Sequence, residues 1–247
     1  MKVKVLVNGA FGRMGQMVTK AVTEDGELEL VGQTGREYDL KRAIIDSSAQ
    51  VVVDFTTPDS VYANTMTIIE TGASPVIGTS GLKKEQIEHL KSLCTQLRRG
   101  GIIVPNFSMG AVLMIRCAEQ IAHYFPQVEI IEMHHEKKVD SPSGTAIATA
   151  ERMNSAHKAA GARVETVAKG VENLPGARGA AYDEIAIHSV RLPGILAKQM
   201  VLFGSEGETL TICHESIQRE SFMPGVRFAC KKVVAMQHLA YGLEEIL

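Results

Sequence analysis

The chain opens with an apolar run, Val3–Val7, that stops at Asn8-Gly9 and passes directly into a glycine-spaced loop and a helix-patterned segment. That strand–turn–helix start constrains the fold more than any other feature. In Gly9-Ala10-Phe11-Gly12-Arg13-Met14-Gly15 the glycines permit a tight turn. They let backbone N–H groups approach a pyrophosphate, and a helix N-terminus adds partial positive charge. The spacing is G-x-x-G-x-x-G rather than G-x-G-x-x-G, so its weight comes from its place after the first strand. Apolar residues at Met14, Met17, Val18 and Ala21 then keep helical spacing over Gly12–Val22.

The alternation continues for about a hundred residues. Strand-like runs fall at Leu28–Val31, Val51–Phe55, Ser74–Ile77 and Gly101–Val104. Helical segments fall between them at Asp39–Asp46, Ser60–Thr71 and Lys83–Leu97. Short β-branched strands alternating with helices predict a parallel sheet covered on both faces. The pattern changes after about Pro105. Met109–Tyr124 reads as a helix, Val128–Met133 as a strand, and Ile147 to about Ala159 as a helix. From Val164 onward the chain is mainly strand-like, at Glu184–Val190, Gln199–Phe203 and Thr209–His214. Gly170–Ala180 reads as a mobile loop, and Phe222–Tyr241 as a closing helix. The expectation is an N-terminal α/β domain followed by an α+β domain.

A length of 247 residues allows one or two domains with a real core. Net charge is −2, which excludes a global basic field for nucleic acid or an anionic membrane; anion binding must be local. No apolar run approaches the roughly 18 residues of a membrane span, and the N-terminal run is too short for a signal peptide. Cys94, Cys117, Cys213 and Cys230 form no C-x-x-C pair and lack zinc-site spacing. They read as small buried hydrophobes in a reducing cytosol, so a cytoplasmic protein is expected.

Residues for a nucleotide gather at strand ends, where open α/β sheets bind ligands. The second strand ordinarily ends in an acid for the ribose hydroxyls. Here Gln33-Thr34-Gly35-Arg36-Glu37 offers none at the tip and supplies Arg36 instead. A guanidinium there can hold a 2′-phosphate, which favours NADPH, while Glu37 leaves NADH open. Asp54-Phe55-Thr56, Gly78-Thr79-Ser80-Gly81 and Asn106-Phe107-Ser108 end the next three strands. Asp54, Thr56, Gly78 and Ser80 are therefore candidates beside the nicotinamide. Each of these loops is also compatible with an ordinary β-to-α turn.

A second cluster lies at His134-His135-Glu136-Lys137-Lys138-Val139-Asp140-Ser141-Pro142-Ser143-Gly144-Thr145. Ser143, Gly144 and Thr145 look like a helix mouth that binds an anion, or like simple capping by Asp140, Ser141 or Ser143. Lys138 is the candidate general acid: an ammonium attracts a carboxylate and donates a proton, and neighbouring cations make it a readier donor. In strand geometry His134 and His135 point to opposite faces, so they do not share one metal or one proton. H-E-x-x-H is absent because Val139 takes the second ligand position, and no metal is needed.

Glu132-Met133-His134-His135 through Lys138 to Ala146 closely resembles the signature of the dihydrodipicolinate reductase family, E-x-H-H-x-x-K-x-D-A-P-S-G-T-A, with Ser141 in place of alanine. The glycine loop, Asp54-Phe55-Thr56, Gly78–Gly81, Pro105–Ser108 and Ile187–Arg191 follow in family order. The resemblance implies hydride transfer from NADPH or NADH to 4-hydroxy-tetrahydrodipicolinate, via dihydrodipicolinate, in diaminopimelate and lysine biosynthesis. It implies His134 as the catalytic histidine and Lys138 as proton donor. His135, Ser143, Gly144, Thr145 and Arg219 would bind a dicarboxylate heterocycle. Gly9, Arg13, Met14, Gly78, Ser80, Asn106 and Phe107 would line the cofactor site. The implied architecture is a Rossmann-type domain, residues 1–105, joined by a C-terminal helix over about 217–247. Residues 106–216 would form a mixed-sheet α+β domain that binds substrate and builds a homotetramer. Arg191–Gln199 departs from the family pattern and is assigned to assembly rather than catalysis. Two other functions stay open: another NAD(P)-dependent reductase or dehydrogenase on this scaffold, and a redox sensor that binds NAD(P)H without catalysis.

Overall fold

A computed structural model describes residues 1–161 and 171–247. The described chain forms two compact units, Met1–Met109 with Glu220–Leu247, and Gly110–Arg219.

The first unit carries strands β1 (Val3–Asn8), β2 (Leu28–Thr34), β3 (Val51–Asp54), β4 (Ser74–Ile77) and β5 (Gly101–Ile103). Helices α1 (Arg13–Thr23), α2 (Leu40–Ser47), α3 (Val61–Thr71) and α4 (Lys84–Gln96) alternate with them. All pairings are parallel. The strand order is β11-β5-β4-β3-β1-β2, in which β11 (Leu239–Tyr241) is the last strand of the chain. The order reverses direction at β1, and at such a switch point the loops leaving adjacent strands diverge into a crevice. Every residue of β3 and β4 is buried, which is why these strands read as unbroken apolar runs rather than alternating ones. Leu6, Val52, Ile77 and Ile103 of the sheet pack with Ile68, Leu90 and Cys94 of the helices in one cluster.

The second unit contains α5 (Met109–Ala122), whose first residue belongs to the first unit, and β6 (Gln127–His134), α6 (Gly144–Ala160), β7 (Ala180–Tyr182), β8 (Ile185–Arg191), β9 (Ala197–Ser205) and β10 (Glu208–Ser216). Its sheet has the order β10-β9-β6-β8-β7. It is mixed: β6 and β8 run parallel, and the other neighbours run antiparallel. Val128 and Ile130 of β6, Ile185 and Ile187 of β8, and Val201 and Phe203 of β9 line one face and pack with Ala146, Ala150 and Met153 of α6. This period-two burial follows from the pleat.

Cys94 and Cys230 are buried as expected, Cys117 and Cys213 are exposed, and three further expectations change. The closing helix over Phe222–Tyr241 is shorter: α7 covers Met223–Val233 and is followed by β11, which pairs with β5. Apolar spacing ran on to Met236, but Leu239-Ala240-Tyr241 is too short to display a strand period. The expected loop stops at Ala180, where β7 begins, and this strand too is too short to display a period. Helix α6 begins at Gly144 rather than Ile147. The strand-like reading at Val164 and the loop start at Gly170 lie outside the described residues.

Candidate functional site

The loop Gly9–Gly12 lies between β1 and α1, held to the end of β2 by two bonds. The N–H groups of Gly9 and Ala10 donate to the Thr34 carbonyl at 2.9 and 3.0 Å. Gly9 has φ +82°, and a Cβ there would run into the Phe55 carbonyl, so only glycine fits. Gly12 caps α1, and no side-chain bond caps that helix. Its first-turn N–H groups therefore have no acceptor within the helix, which fits a dinucleotide pyrophosphate. Arg13 is exposed and Met14 half-buried in that first turn.

Asp54 ends β3 and is fully buried. Its Oδ1 accepts from the Thr56 N–H (3.1 Å), the Thr56 hydroxyl (2.7 Å) and the Thr79 hydroxyl (2.6 Å). Its Oδ2 accepts from the amides of Asn8 (2.8 Å) and Asn64 (3.0 Å). Asn8 in turn accepts from the Thr34 hydroxyl at 2.9 Å. The expectation that Asp54 faces the cofactor is therefore revised: its carboxylate is enclosed and holds four strand-end loops together. Thr56, Gly78 and Ser80 are at least partly accessible on those loops. Phe107 is also revised, because its ring is buried against Phe55 at 5.6 Å and forms the floor beneath Gly78. Asn106 keeps its turn by accepting from the Ser108 N–H at 2.9 Å. Arg36 is exposed after β2.

In the second unit the buried face of the sheet turns polar at one end. On β6, Val128 and Ile130 give way to Glu132 and His134; on β8, Ile185 and Ile187 give way to Ser189 and Arg191. The parallel register sets Glu132 opposite Ser189 and His134 opposite Arg191. All four side chains therefore share one face. Glu132 is fully buried. It accepts from His134 Nδ1 at 2.6 Å, from both Nη atoms of Arg191 at 2.9 and 2.8 Å, and from the Ser143 N–H at 3.3 Å. Burial pushes the Glu132 carboxyl up, but bonds from His134, Arg191 and Ser189 with the Arg191 charge outweigh it and hold it at about 2. Because an ionised carboxylate only accepts, the proton of that bond sits on Nδ1, and the remaining nitrogen of His134 is Nε2.

Arg191 also donates to the Asp140 carbonyl at 2.7 Å. The Asp140 side chain in turn accepts from Lys138 Nζ at 2.7 and 2.9 Å. That bond and the Lys138 charge hold the Asp140 carboxyl below its ordinary range. The charge bound to Lys138 is thus anionic, not the group of cations expected from the sequence. A continuous set of bonds runs from His134 through Glu132, Arg191 and Asp140 to Lys138.

Ser143 caps α6, its hydroxyl accepting from the Ala146 N–H at 3.2 Å. The capping reading therefore holds, and capping leaves the first-turn N–H groups of Gly144 and Thr145 without intrahelical acceptors. His135 is half-buried, and its carbonyl accepts from the Lys138 N–H at 3.1 Å, closing a turn. Arg219 opens a short 3₁₀ turn and is exposed. No hydrogen bond among the described residues ties it to the His134 cluster.

Two residues of this cluster were not singled out as site residues from the sequence: Glu132 and Arg191. Assigning Arg191 to assembly is corrected by its fork on Glu132. Its signal was available, since a carboxylate two residues before His134 on an otherwise apolar strand face must find a cation.

The family model for the N-terminus of dihydrodipicolinate reductase matches residues 3–107, and that for its C-terminus matches residues 110–247. The chain is 49% identical to a 4-hydroxy-tetrahydrodipicolinate reductase of Legionella pneumophila and 48% identical to one of Coxiella burnetii, over the full length of both chains in each case. Among solved structures it is similar to a dipicolinate-bound dihydrodipicolinate reductase from a Paenisporosarcina species, with a TM-score of 0.90 and 39% identity over the whole of both chains.

Proposed function

The chain belongs to the dihydrodipicolinate reductase family, and we propose that it reduces 4-hydroxy-tetrahydrodipicolinate to tetrahydrodipicolinate with NAD(P)H, in diaminopimelate and lysine biosynthesis. The observation that carries this reading is the buried carboxylate of Glu132, which fixes His134, Arg191 and the α6 cap together beside the Lys138 loop.

In this reading the first unit holds the dinucleotide through Gly9, Arg13, Met14, Thr56, Gly78, Ser80 and Asn106. When bound, the reduced nicotinamide supplies a hydride to the substrate ring, which has lost its 4-hydroxyl as water. Negative charge then develops on the neighbouring carbon, and Lys138 delivers a proton there. His134 is held with Nε2 as its free nitrogen and faces the reacting ring. His135, the N–H groups of Gly144 and Thr145, and Arg219 grip the two carboxylates. Asp140 releases the Lys138 ammonium when the substrate's negative charge replaces its own. Aligning acid and acceptor in this way contributes several of the roughly 8–23 kcal/mol that enzymes remove from a barrier.

The cofactor preference assigned here is NADPH, because the tip of β2 carries Arg36 and no acid. We also assign the mixed sheet of the second unit to a homotetramer, since residues Glu208–Thr211 of its edge strand are exposed, and the cytoplasm as its compartment. NADPH and NADH oxidation, followed optically with substrate generated in situ by the preceding synthase, tests the activity. Lys138→Ala should lower turnover by about 10²–10⁴ with little change in cofactor affinity. Unchanged turnover would remove Lys138 from its role. Light scattering tests the tetramer.

A further inference from the structure

Gly35 stands immediately after β2, at the position where an acid would reach the ribose diol. The space above it is filled. A Cβ at Gly35 would lie 2.9 Å from Cδ2 and 3.3 Å from Cε2 of Phe11, which comes from the glycine loop after β1. The Phe11 ring stacks on Tyr38 at 5.8 Å between centroids and 30° between planes. A turn closed by the Tyr38 N–H on the Gly35 carbonyl at 3.1 Å brings Tyr38 back beside it. Phe11 and Tyr38 are 56% and 54% exposed, although each has a large apolar ring. Arg36 sits within the same turn, exposed and without an ion pair among the described residues. The two loops that carry the rings are locked together by the Thr34 carbonyl, which accepts from both Gly9 and Ala10.

We propose that Phe11, stacked on Tyr38 over Gly35, is the residue that sets which dinucleotide this enzyme takes. Its ring takes the volume that a carboxylate at 35 would need, so an acid at that position cannot reach the diol of NADH while Phe11 stays stacked on Tyr38. The same pair of rings offers an exposed aromatic face for the adenine, and Arg36 is left for the 2′-phosphate. Discrimination is thus shared between a charge that attracts the phosphate and a ring that bars the alternative. An acid introduced at 35 would push Phe11 off Tyr38, losing the aromatic face while gaining the carboxylate. This inference rests on the dinucleotide reading of the first unit and, for its direction, on the assignment of NADPH.

The test is a double-mutant cycle of Phe11→Ala and Gly35→Asp, with dissociation constants for NADPH and NADH measured by cofactor fluorescence. Phe11→Ala should weaken both cofactors, by about 5–100-fold, the range for losing one base–aromatic stack. Gly35→Asp should weaken NADPH in either background, but should improve NADH binding only when Phe11 is Ala, with a coupling of at least threefold. A Gly35→Asp gain for NADH of equal size in both backgrounds would overturn the exclusion. Phe11→Ala leaving both constants within twofold of the parent would overturn the aromatic face. Arg36→Met separates the two readings. If the parent protein prefers NADH and Arg36→Met changes nothing, the NADPH assignment fails, while the Phe11→Ala result still decides the role of the ring.

Discussion

His134 Nδ1 lies 2.6 Å from Glu132 Oε2, two residues earlier on the same face of β6. The pair sits where an apolar strand face ends, so the carboxylate is buried and its bond to Nδ1 orients the ring. Glu132 meets Arg191 through a two-pronged bond, and Arg191 reaches the carbonyl of Asp140. One buried anion therefore sets the geometry of both residues proposed to face the substrate.

Glu132→Gln should lower turnover by about 10–100-fold, the loss seen when an outer group that orients a metal-bound histidine is removed. An amide oxygen in place of Oε2 still accepts from His134 and one Arg191 nitrogen but turns its NH₂ on the other Arg191 nitrogen and the Ser143 N–H; the reverse flip turns the NH₂ on His134. Stability should fall as well, by about 3–5 kcal/mol, because the guanidinium loses its anion in a largely buried place. Urea denaturation gives the stability, and the ¹⁵N shifts of His134 report its tautomer. A variant with full turnover and an unchanged tautomer would show that Glu132 does not orient the ring.

Arg191→Lys tests whether the fork or the charge matters. An ammonium keeps the charge but cannot reach both Glu132 oxygens and the Asp140 carbonyl together. The loop carrying Lys138 should loosen, so KM for the dicarboxylate rises while the dissociation constant for the cofactor stays the same. Steady-state kinetics and a cofactor titration on the same preparation separate the two. Equal changes in both constants would point to general unfolding instead.

Asp54→Ala makes the opposite prediction for the other unit. Removing the carboxylate leaves the amides of Asn8 and Asn64 short of an acceptor and leaves the Thr79 hydroxyl only the backbone carbonyl at 54. At about 1–3 kcal/mol for each unsatisfied group, a loss of about 2 kcal/mol or more is expected. Cofactor affinity should fall, because the loops bearing Thr56, Gly78 and Gly9 lose their common anchor. Chemical denaturation and cofactor fluorescence measure the two effects. Asp54→Ala with parent stability would show that the network has slack.

The parallel sheet of the first unit was legible because its central strands β3, β4 and β5 are buried on both faces and read as apolar blocks between helices. Where elements were three residues long, as at Leu239–Tyr241 and Ala180–Tyr182, no period could form, and tertiary pairing alone made them strands. Within the site, the segment from His134 to Thr145 stood out because its side chains carry chemistry in one stretch. Arg191 did not, because its role depends on a strand pairing with β6 that separates Glu132 from it by 59 residues. Asp54 misled for a related reason. A strand-end acid looks exposed by position, and only the convergence of Asn8, Asn64 and Thr79 from three other segments shows it enclosed.

The pH dependence of stability follows from the same carboxylate as the first prediction. Glu132 is held at about 2 in the folded protein, against an ordinary value of 4.5. A group depressed by folding adds stability that is fully present above its unfolded value and is lost as pH falls toward the folded one. The contribution is therefore intact at neutral pH and disappears between about 4.5 and 2, a loss of about 3 kcal/mol. Asp25, Glu129 and Asp140 are also depressed, so the parent curve bends through this window for several reasons. Glu132→Gln isolates the one contribution, because its amide does not titrate. Denaturation midpoints measured from pH 6 down to pH 3 should show a shallower fall for the variant than for the parent, the two curves converging at the acid end. Parallel curves would mean that Glu132 is not the buried anion that the second unit is built around.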